Sequence, residues 1–74
     1  MGRRVLKKAR KEKGMTQQAV ADYLNISLRY YQSIEAGDFN GSIEIWDRLE
    51  DLLAVNQRQL REIVNIRLGQ VSNL

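Results

Sequence analysis

The stretch TQQAVADYLNISLRYYQSIEAG, residues 16–37, decides the fold. It contains two apolar patterns with helical spacing, and each pattern follows a good helix N-cap residue, Thr16 or Ser27. These signals predict one helix over 17–24 and a second helix from the Ser27 cap through Ala36.

The connection between these two helices is a tight turn, the tetrapeptide LNIS at 24–27. Asn25 suits such a turn, because asparagine tolerates a positive φ better than other non-glycine residues. A turn this short does not allow antiparallel stacking, so the two helices are predicted to cross steeply as a helix-turn-helix. Ala21 in the middle of the first helix favours this geometry, because its small side chain lets the next helix approach closely.

Three further helices are predicted around this pair, over about 3–13, 43–55 and 57–68. Each carries an apolar stripe that can face a common core, to which Tyr31 and Ile34 also contribute. The stripes consist of Val5, Leu6 and Ala9, then Ile45, Trp46, Leu49, Leu52 and Leu53, and finally Leu60, Ile63, Val64 and Leu68. No β-hairpin pattern interrupts them, so residues 1–74 are predicted to form a single all-α domain.

The composition excludes several classes of function. The 74 residues include no Cys and no His, which excludes disulfides, zinc sites of the Cys/His type and His-dependent nucleophiles. The carboxylates of Asp47, Glu50 and Asp51 lie on a convex helix face that implies no cleft. We therefore expect no enzyme activity, no cofactor, no metal and no small-molecule ligand. No apolar run approaches the ~20 residues of a membrane span. Met1 is not followed by the apolar segment of a signal peptide, so a cytoplasmic protein is expected.

Charge is unevenly distributed along the chain. Residues 1–13 carry seven Lys or Arg against one Glu, a balance of +6, and residues 38–54 carry one Arg against five acidic residues, a balance of −4. A basic end of this kind neutralises phosphates or anionic lipid, or is simply a solvated helix face.

From Leu6 to Val55 the sequence resembles the Cro/CI/Xre family of phage and bacterial repressors. The matching residues occur in order and without a gap: Lys8-Ala9-Arg10, Gly14-Met15-Thr16-Gln17, Val20-Ala21, Leu24, the Ser27-to-Ile34 helix, Ile34-Glu35-Ala36-Gly37, and Leu49, Leu52, Leu53 and Ala54. The resemblance implies a five-helix, lambda-repressor-like DNA-binding domain whose third helix enters the major groove of double-stranded DNA. It also implies a prokaryotic or phage transcriptional regulator, specifically a repressor that occupies an operator.

The resemblance assigns base-reading roles to the third helix. Arg29 is the sharpest candidate, because arginine forms a bidentate pair with guanine. Leu28 either meets a thymine methyl or packs against the second helix, and Tyr30 either contacts DNA or is merely exposed. The expected base contacts are Ser27, Leu28, Arg29, Tyr30, Gln32 and Ser33.

Phosphate contacts are expected where helix N-termini offer free amides and where the chain is basic. The expected set is Thr16, Gln17, Lys7, Lys11, Asn40, Gly41 and Ser42, and in the family Gln17 also braces the third helix. The loop after Gly37 departs from the family pattern, because Asp38 and Phe39 stand where Lys or Arg is frequent. Phosphate attraction is then expected to rest more on the basic residues of 3–13, Arg3 among them.

Two further expectations follow from the resemblance and from the size of the domain. Arg10 and Glu35 fall where the family places a partly buried ion pair that locks the first helix to the third. One helix-turn-helix contacts few base pairs, so a homodimer on two half-sites is possible. Its contacts are then Leu60, Ile63, Val64 and Leu68, unless these residues only close the monomer core.

The alternative function is a protein-interaction module that keeps this fold and has lost DNA binding. The acidic loop residue Asp38 and the apolar fifth helix motivate this alternative.

Overall fold

The computed structural model of the chain describes residues 2–62, which form five helices and, over that range, no strand. The helices are α1 (Arg4–Glu12), α2 (Gln17–Leu24), α3 (Leu28–Ala36), α4 (Ile43–Leu53) and α5 (Gln57–Arg61). α2 packs against α3 and α4, while α1 packs against α3 and α5. The predicted all-α fold of five short helices, similar to that of lambda repressor, is confirmed.

Side-chain caps determine where three of the helices begin. The hydroxyl oxygens of Thr16, Ser27 and Ser42 each accept a hydrogen bond from the amide three residues further on, at 3.0, 3.0 and 3.2 Å. That amide belongs to the first turn and has no acceptor inside the helix, so each cap satisfies a group that would otherwise need water. The starts predicted for α2, α3 and α4 are confirmed.

Residues in the left-handed region end the helices of the central pair. Asn25, at φ 60°, ends α2, and Gly37, at φ 87°, ends α3. Asparagine and glycine adopt this conformation at the least steric cost, which is why the turn forms where the sequence predicts it. α4 ends at Leu53, two residues before the predicted Val55, because Ala54 adopts φ 57°.

The core lies between all five helices. Its buried apolar residues are Leu6, Ala9, Val20, Ala21, Leu24, Tyr31, Ile34, Ile45, Trp46, Leu49, Leu53 and Leu60. Ala21 and Trp46 are fully buried, as predicted. Val5 is an exception to the predicted stripe of α1, because Leu6, Ala9 and Arg10 turn inward and leave Val5 at the edge, 36% exposed.

The fifth helix is described only in part. α5 extends from Gln57 to Arg61 and is followed by the left-handed Glu62, while the rest of the predicted range, as far as Leu68, lies outside the described residues. Leu60 is fully buried among the core residues, so of its two predicted roles the structure favours closing the monomer core over a dimer contact. The other predicted dimer contacts, Ile63, Val64 and Leu68, lie outside the described residues.

A buried carboxylate joins α1, α2 and α3. Arg10 Nε donates to Glu35 Oε2 at 2.6 Å, which is the ion pair that the resemblance implies. Tyr31 Oη donates to the same oxygen at 2.6 Å, and Gln17 Nε2 donates to Oε1 at 3.0 Å. Glu35 is only 2% exposed, so these donors replace the water that the carboxylate loses on folding.

The balance between burial and hydrogen bonding sets the charge states of this network. Burial raises the pKa of the Glu35 carboxyl, but the hydrogen bonds from Arg10, Tyr31 and Gln17 outweigh it and hold that pKa below its usual value. The hydrogen bond to Glu35 raises the pKa of Arg10, while burial and then the bond to Glu35 raise the pKa of Tyr31. At neutral pH the network therefore consists of one anion, one cation and one neutral phenol.

Removing the anion should cost more than removing one of its donors. We expect Glu35→Gln to lower the free energy of unfolding by about 3–5 kcal/mol at neutral pH, because Arg10 is left buried without a counter-charge. Tyr31→Phe deletes one hydrogen bond to the carboxylate and should cost about 1.5–3 kcal/mol. Urea denaturation followed by circular dichroism measures both losses. Equal losses would contradict the view that Arg10 depends on the charge of Glu35.

The stability of the domain should also depend on pH through Glu35. Because its folded pKa is lowered, its contribution is complete above the ordinary carboxyl pKa of about 4.3 and is lost as the pH falls through the folded pKa. The difference in unfolding free energy between wild type and Glu35→Gln should therefore stay constant from neutral pH to about pH 5 and shrink below it. A difference that stays constant under acid conditions would show that Glu35 is not the titrating group.

Candidate nucleic-acid interface

The outer face of α3 carries an exposed arginine, Arg29. Its guanidinium makes no hydrogen bond to any residue in the range 2–62. Gln32 and the N-cap residue Ser27 are exposed on the same helix, whereas Tyr31 and Ile34 are buried. Of the predicted base contacts, Arg29, Gln32 and Ser27 are thus accessible to a ligand.

The other three predicted base contacts, Leu28, Tyr30 and Ser33, are less exposed. Leu28, for which contact with DNA and packing inside the domain were both open, is half-buried. Tyr30 packs partly against the core, and its ring meets that of Phe39 edge to face at a centroid distance of 5.8 Å. Ser33 Oγ donates to the backbone carbonyl of Arg29 at 3.1 Å. These contacts limit what the three side chains can offer to a base.

Gln17 links the start of α2 to α3. Its Oε1 accepts from Gln32 Nε2 at 3.2 Å, while its Nε2 donates to Glu35. One amide side chain thus joins the exposed face of α3 to the buried carboxylate, which is a bracing contact. The backbone amides at the start of α2, beside Thr16 and Gln17, have no acceptor within the helix and remain available to an anion.

The loop between α3 and α4, residues 38–42, lies on the other side of α3. The amide of Asp38 donates to the carbonyl of Ser33 at 2.9 Å, and Phe39 contacts Tyr30. Successive helix residues are about 100° apart, which places Arg29 between Gln32 and Tyr30 around α3. Gln17 therefore flanks the exposed arginine on one side, and the α3–α4 loop flanks it on the other.

The predicted phosphate contacts of this loop are held by Trp46. The carbonyl of Asn40 accepts a hydrogen bond from Trp46 Nε1. Gly41 has φ +73°, a conformation that strains any residue with a side chain, whereas a Cβ there would meet Trp46 Nε1 at an ordinary contact distance of 3.4 Å, so glycine is favoured by conformation. Ser42 follows as the exposed N-cap of α4. The sequence located the turn, but it gave no signal that the tryptophan holds it.

Arg3 is buried, and the expectation that it attracts phosphate is wrong. The residue is only 8% exposed, and its Nη1 donates hydrogen bonds to the carbonyls of Ile34 and Phe39. Nη2 donates to Asn40 Oδ1 at 3.1 Å. Its donors are therefore used within the domain. The basic segment 3–13 gives no indication of which arginine is buried, so the contacts of Arg3 with the α3–α4 loop could not be predicted from the sequence.

The surroundings of Arg3 are aromatic and cationic. Its guanidinium carbon lies 5.1 Å from the ring centroid of Trp46, and that of Arg61 lies 5.7 Å from the same centroid. Burial, and then the charge of Arg61, lower the pKa of Arg3. An arginine stays protonated even so, and the ring and carbonyl oxygens stabilise its charge.

The predicted phosphate contacts of α1 form a separate group. Lys7 and Lys11 line a surface depression together with Arg4, Lys8 and Glu12. All of these residues are exposed, because Leu6 and Ala9 occupy the inner face of α1. These side chains take no part in the hydrogen bonds that hold Gln17 and the α3–α4 loop on either side of Arg29. Their contact with phosphate stays a prediction.

Neither a metal site nor a membrane-spanning helix is found in the described part of the chain. No cluster of acidic residues there has an arrangement that could hold a metal ion. Over residues 2–62, no helix has the length and apolar character needed to cross a bilayer.

Comparison with known proteins places this geometry in a family. A family model described as Helix-turn-helix matches residues 6–60, which run from the core of α1 to the buried leucine of α5. Comparisons with curated proteins and with solved structures give no match. The matched range includes the whole of 16–37 and both residues of the buried ion pair. The chain therefore belongs to the helix-turn-helix family of the Cro/CI/Xre type, a family of DNA-binding regulators.

Proposed function

We propose that this chain binds a specific sequence of double-stranded DNA by placing α3 in the major groove, and that it represses transcription in the cytoplasm by occupying an operator, without catalysis. The observation that carries the proposal is the guanidinium of Arg29, which is exposed on the outer face of α3 and makes no hydrogen bond within residues 2–62. This face is flanked on both sides by groups suited to phosphate.

Phosphate binding would come from elements on either side of α3. The first amides of α2 and of α4, beside Gln17 and Ser42, point out of their helices at the positive end of the helix dipole. Such contacts fix the position of a domain on the duplex but carry no sequence information. The lysines of α1 would add attraction that does not depend on sequence.

Base reading would come from Arg29 and Gln32. Arginine forms a bidentate pair with guanine O6 and N7, and glutamine with adenine N6 and N7. The hydrogen bond from Gln32 to Gln17 restricts the orientation of the Gln32 side chain before DNA arrives. Part of the conformational entropy of the Gln32 side chain is then lost when the domain folds, so less of it is lost when DNA binds.

We further propose that two copies bind adjacent half-sites. A single recognition helix covers few base pairs, and two-fold related half-sites about 10 base pairs apart would double the contacts. Buried Leu60 is not available for such an interface, so residues outside 2–62 or the surface of α1–α4 would supply it.

A protein-interaction module is the second candidate function. The exposed apolar residues Phe39, at 54%, and Ile43, at 73%, favour it, because Phe39 follows acidic Asp38 on the loop that would face DNA and Ile43 begins α4 directly after that loop. Acidic and apolar side chains suit a protein surface better than a phosphate backbone.

Selection from randomised duplex DNA at moderate salt, followed by sequencing, tests the proposed function. An enriched palindrome with half-site centres about 10 base pairs apart would support a dimeric operator-binding regulator. A single enriched half-site would support sequence-specific binding by a monomer. If the folded chain enriches no sequence, DNA reading is contradicted and the interaction module is favoured.

Arg29→Ala should relax specificity at one base position. We expect a loss of about 1–3 kcal/mol in binding the selected duplex and little change with a scrambled duplex, because one bidentate base contact is lost. Fluorescence anisotropy titrations on both duplexes measure this. Arg48→Ala, which removes an exposed arginine from α4, is the matched control and should leave the ratio of the two affinities unchanged. Equal weakening on both duplexes by Arg29→Ala would exclude base reading.

Lys7→Ala should behave differently from Arg29→Ala. It should weaken binding to every duplex by a similar factor and lower the slope of log affinity against log salt by about one, because one phosphate contact is lost. The same titrations at four or more salt concentrations give the slope. An unchanged slope would remove Lys7 from the phosphate contacts.

A further inference from the structure

The first described residues form an N-terminal arm, Gly2 and Arg3, that lies on the C-terminal end of α3. The amide of Arg3 donates to the carbonyl of Glu35 at 2.7 Å. A Cβ at Gly2 would come within 2.8 Å of that same carbonyl oxygen, so no other residue type fits without a shift of the backbone. Main-chain contact and tight packing thus fix the arm to α3.

From this position the side chain of Arg3 reaches the α3–α4 loop. Nη1 donates to the carbonyl of Phe39 at 2.7 Å and also to that of Ile34, and Nη2 donates to Asn40 Oδ1 at 3.1 Å. Nε makes a longer contact, of 3.4 Å, with the carbonyl of Arg61. One planar group thus joins the last turn of α3 to the loop, and the fork of donors fixes their relative position.

The start of the loop has its own anchor, because the amides of Asp38 and Phe39 donate to the carbonyl of Ser33 at 2.9 and 3.4 Å. Phe39 and Asn40 are exposed, so apolar burial contributes little to the position of the middle of the loop.

Trp46 Nε1 donates to the carbonyl of Asn40, and the guanidinium of Arg3 lies over the face of the same indole. Arg3 and Trp46 therefore hold the backbone at Phe39 and Asn40 together, beyond the anchor at Asp38.

We propose that Arg3 is a positioning residue for DNA binding: it holds the α3–α4 loop in the geometry that contacts phosphate, and it does not contact DNA itself. The inference rests on the proposed function. A positioning role for Arg3 differs from a direct phosphate contact in one measurable respect, the salt dependence of binding. The loop carries no cation, so its contacts are made by neutral groups, and losing them changes the affinity without changing the salt dependence.

Arg3→Gln is the first test, in the full 74-residue chain, with the selected duplex. We expect about tenfold weaker binding, the loss of one or two hydrogen bonds to phosphate, with an unchanged salt slope. Arg4→Gln is the matched control, because it removes the same charge from the neighbouring, exposed position. It should weaken binding less than Arg3→Gln does. Circular dichroism confirms that each variant is folded at the temperature of the titration.

Gly2→Ala tests the arm without removing any charged group or any hydrogen-bonding side chain. The added methyl group must displace the arm from the carbonyl of Glu35, which moves the guanidinium of Arg3 away from the loop. We expect weaker binding with an unchanged salt slope, as for Arg3→Gln. This variant keeps the inference testable if Arg3→Gln does not fold.

Trp46 provides a readout that does not require DNA. It is the single tryptophan of the chain, so its fluorescence reports on the indole beside Asn40 alone. If Arg3 orders the loop, acrylamide should quench Trp46 more strongly in folded Arg3→Gln and Gly2→Ala than in wild type or Arg4→Gln. Unchanged quenching in all variants would contradict an ordering role.

The outcomes separate the inference from the proposed function. Weaker binding with a salt slope lowered by about one would make Arg3 a direct phosphate contact and overturn the inference, as would wild-type affinity in folded Arg3→Gln. If the wild-type chain binds no duplex at low salt, the proposed function fails. The quenching comparison then still determines whether Arg3 orders the loop.

Discussion

The buried carboxylate of Glu35 is the interaction on which the arrangement of this domain depends. It receives hydrogen bonds from Arg10 of α1, Gln17 of α2 and Tyr31 of its own helix. A carboxylate shielded from water is stable only while such donors surround it, so the three helices must keep their relative positions for the charge to remain satisfied. The orientation of α3 is therefore fixed by a polar group as well as by the apolar core.

The exposed face of α3 is continuous with this buried network. Gln17 contacts Glu35 through its nitrogen and Gln32 through its oxygen, so the order of the interior extends to a side chain at the surface. On the opposite side, Arg3 and Trp46 hold the α3–α4 loop. On one side an amide network, and on the other an arginine and an indole, hold an exposed group to a buried residue. Preorganisation of this kind lowers the entropy lost when a rigid partner such as duplex DNA binds.

Much of the fold could be predicted from the sequence, because local rules determine it. Thr16, Ser27 and Asn25 set the bounds of the central helices through contacts within a few residues, and family resemblance located the pair Arg10–Glu35. The roles of Arg3 and Leu60 could not be predicted in this way. Arg3 acts on a segment more than thirty positions away, and an apolar leucine on a helix looks the same whether it faces its own core or a second subunit. Within the site, the accessibility of Tyr30 depends on its packing against the core and Phe39, which helical periodicity does not specify.

The packing of α1 against α5 also has a consequence for synthesis. The amide of Val5 donates to Glu62 Oε1 at 2.9 Å, and Leu60 lies in the same core as Leu6, so the two ends of the described range meet in the folded domain. The contacts between α2 and α3 are local in sequence, but the core that supports them stays open until α5 has been synthesised. α3 therefore reaches its final setting only after α5 emerges, and a nascent chain that ends before α5 exposes apolar surface to water.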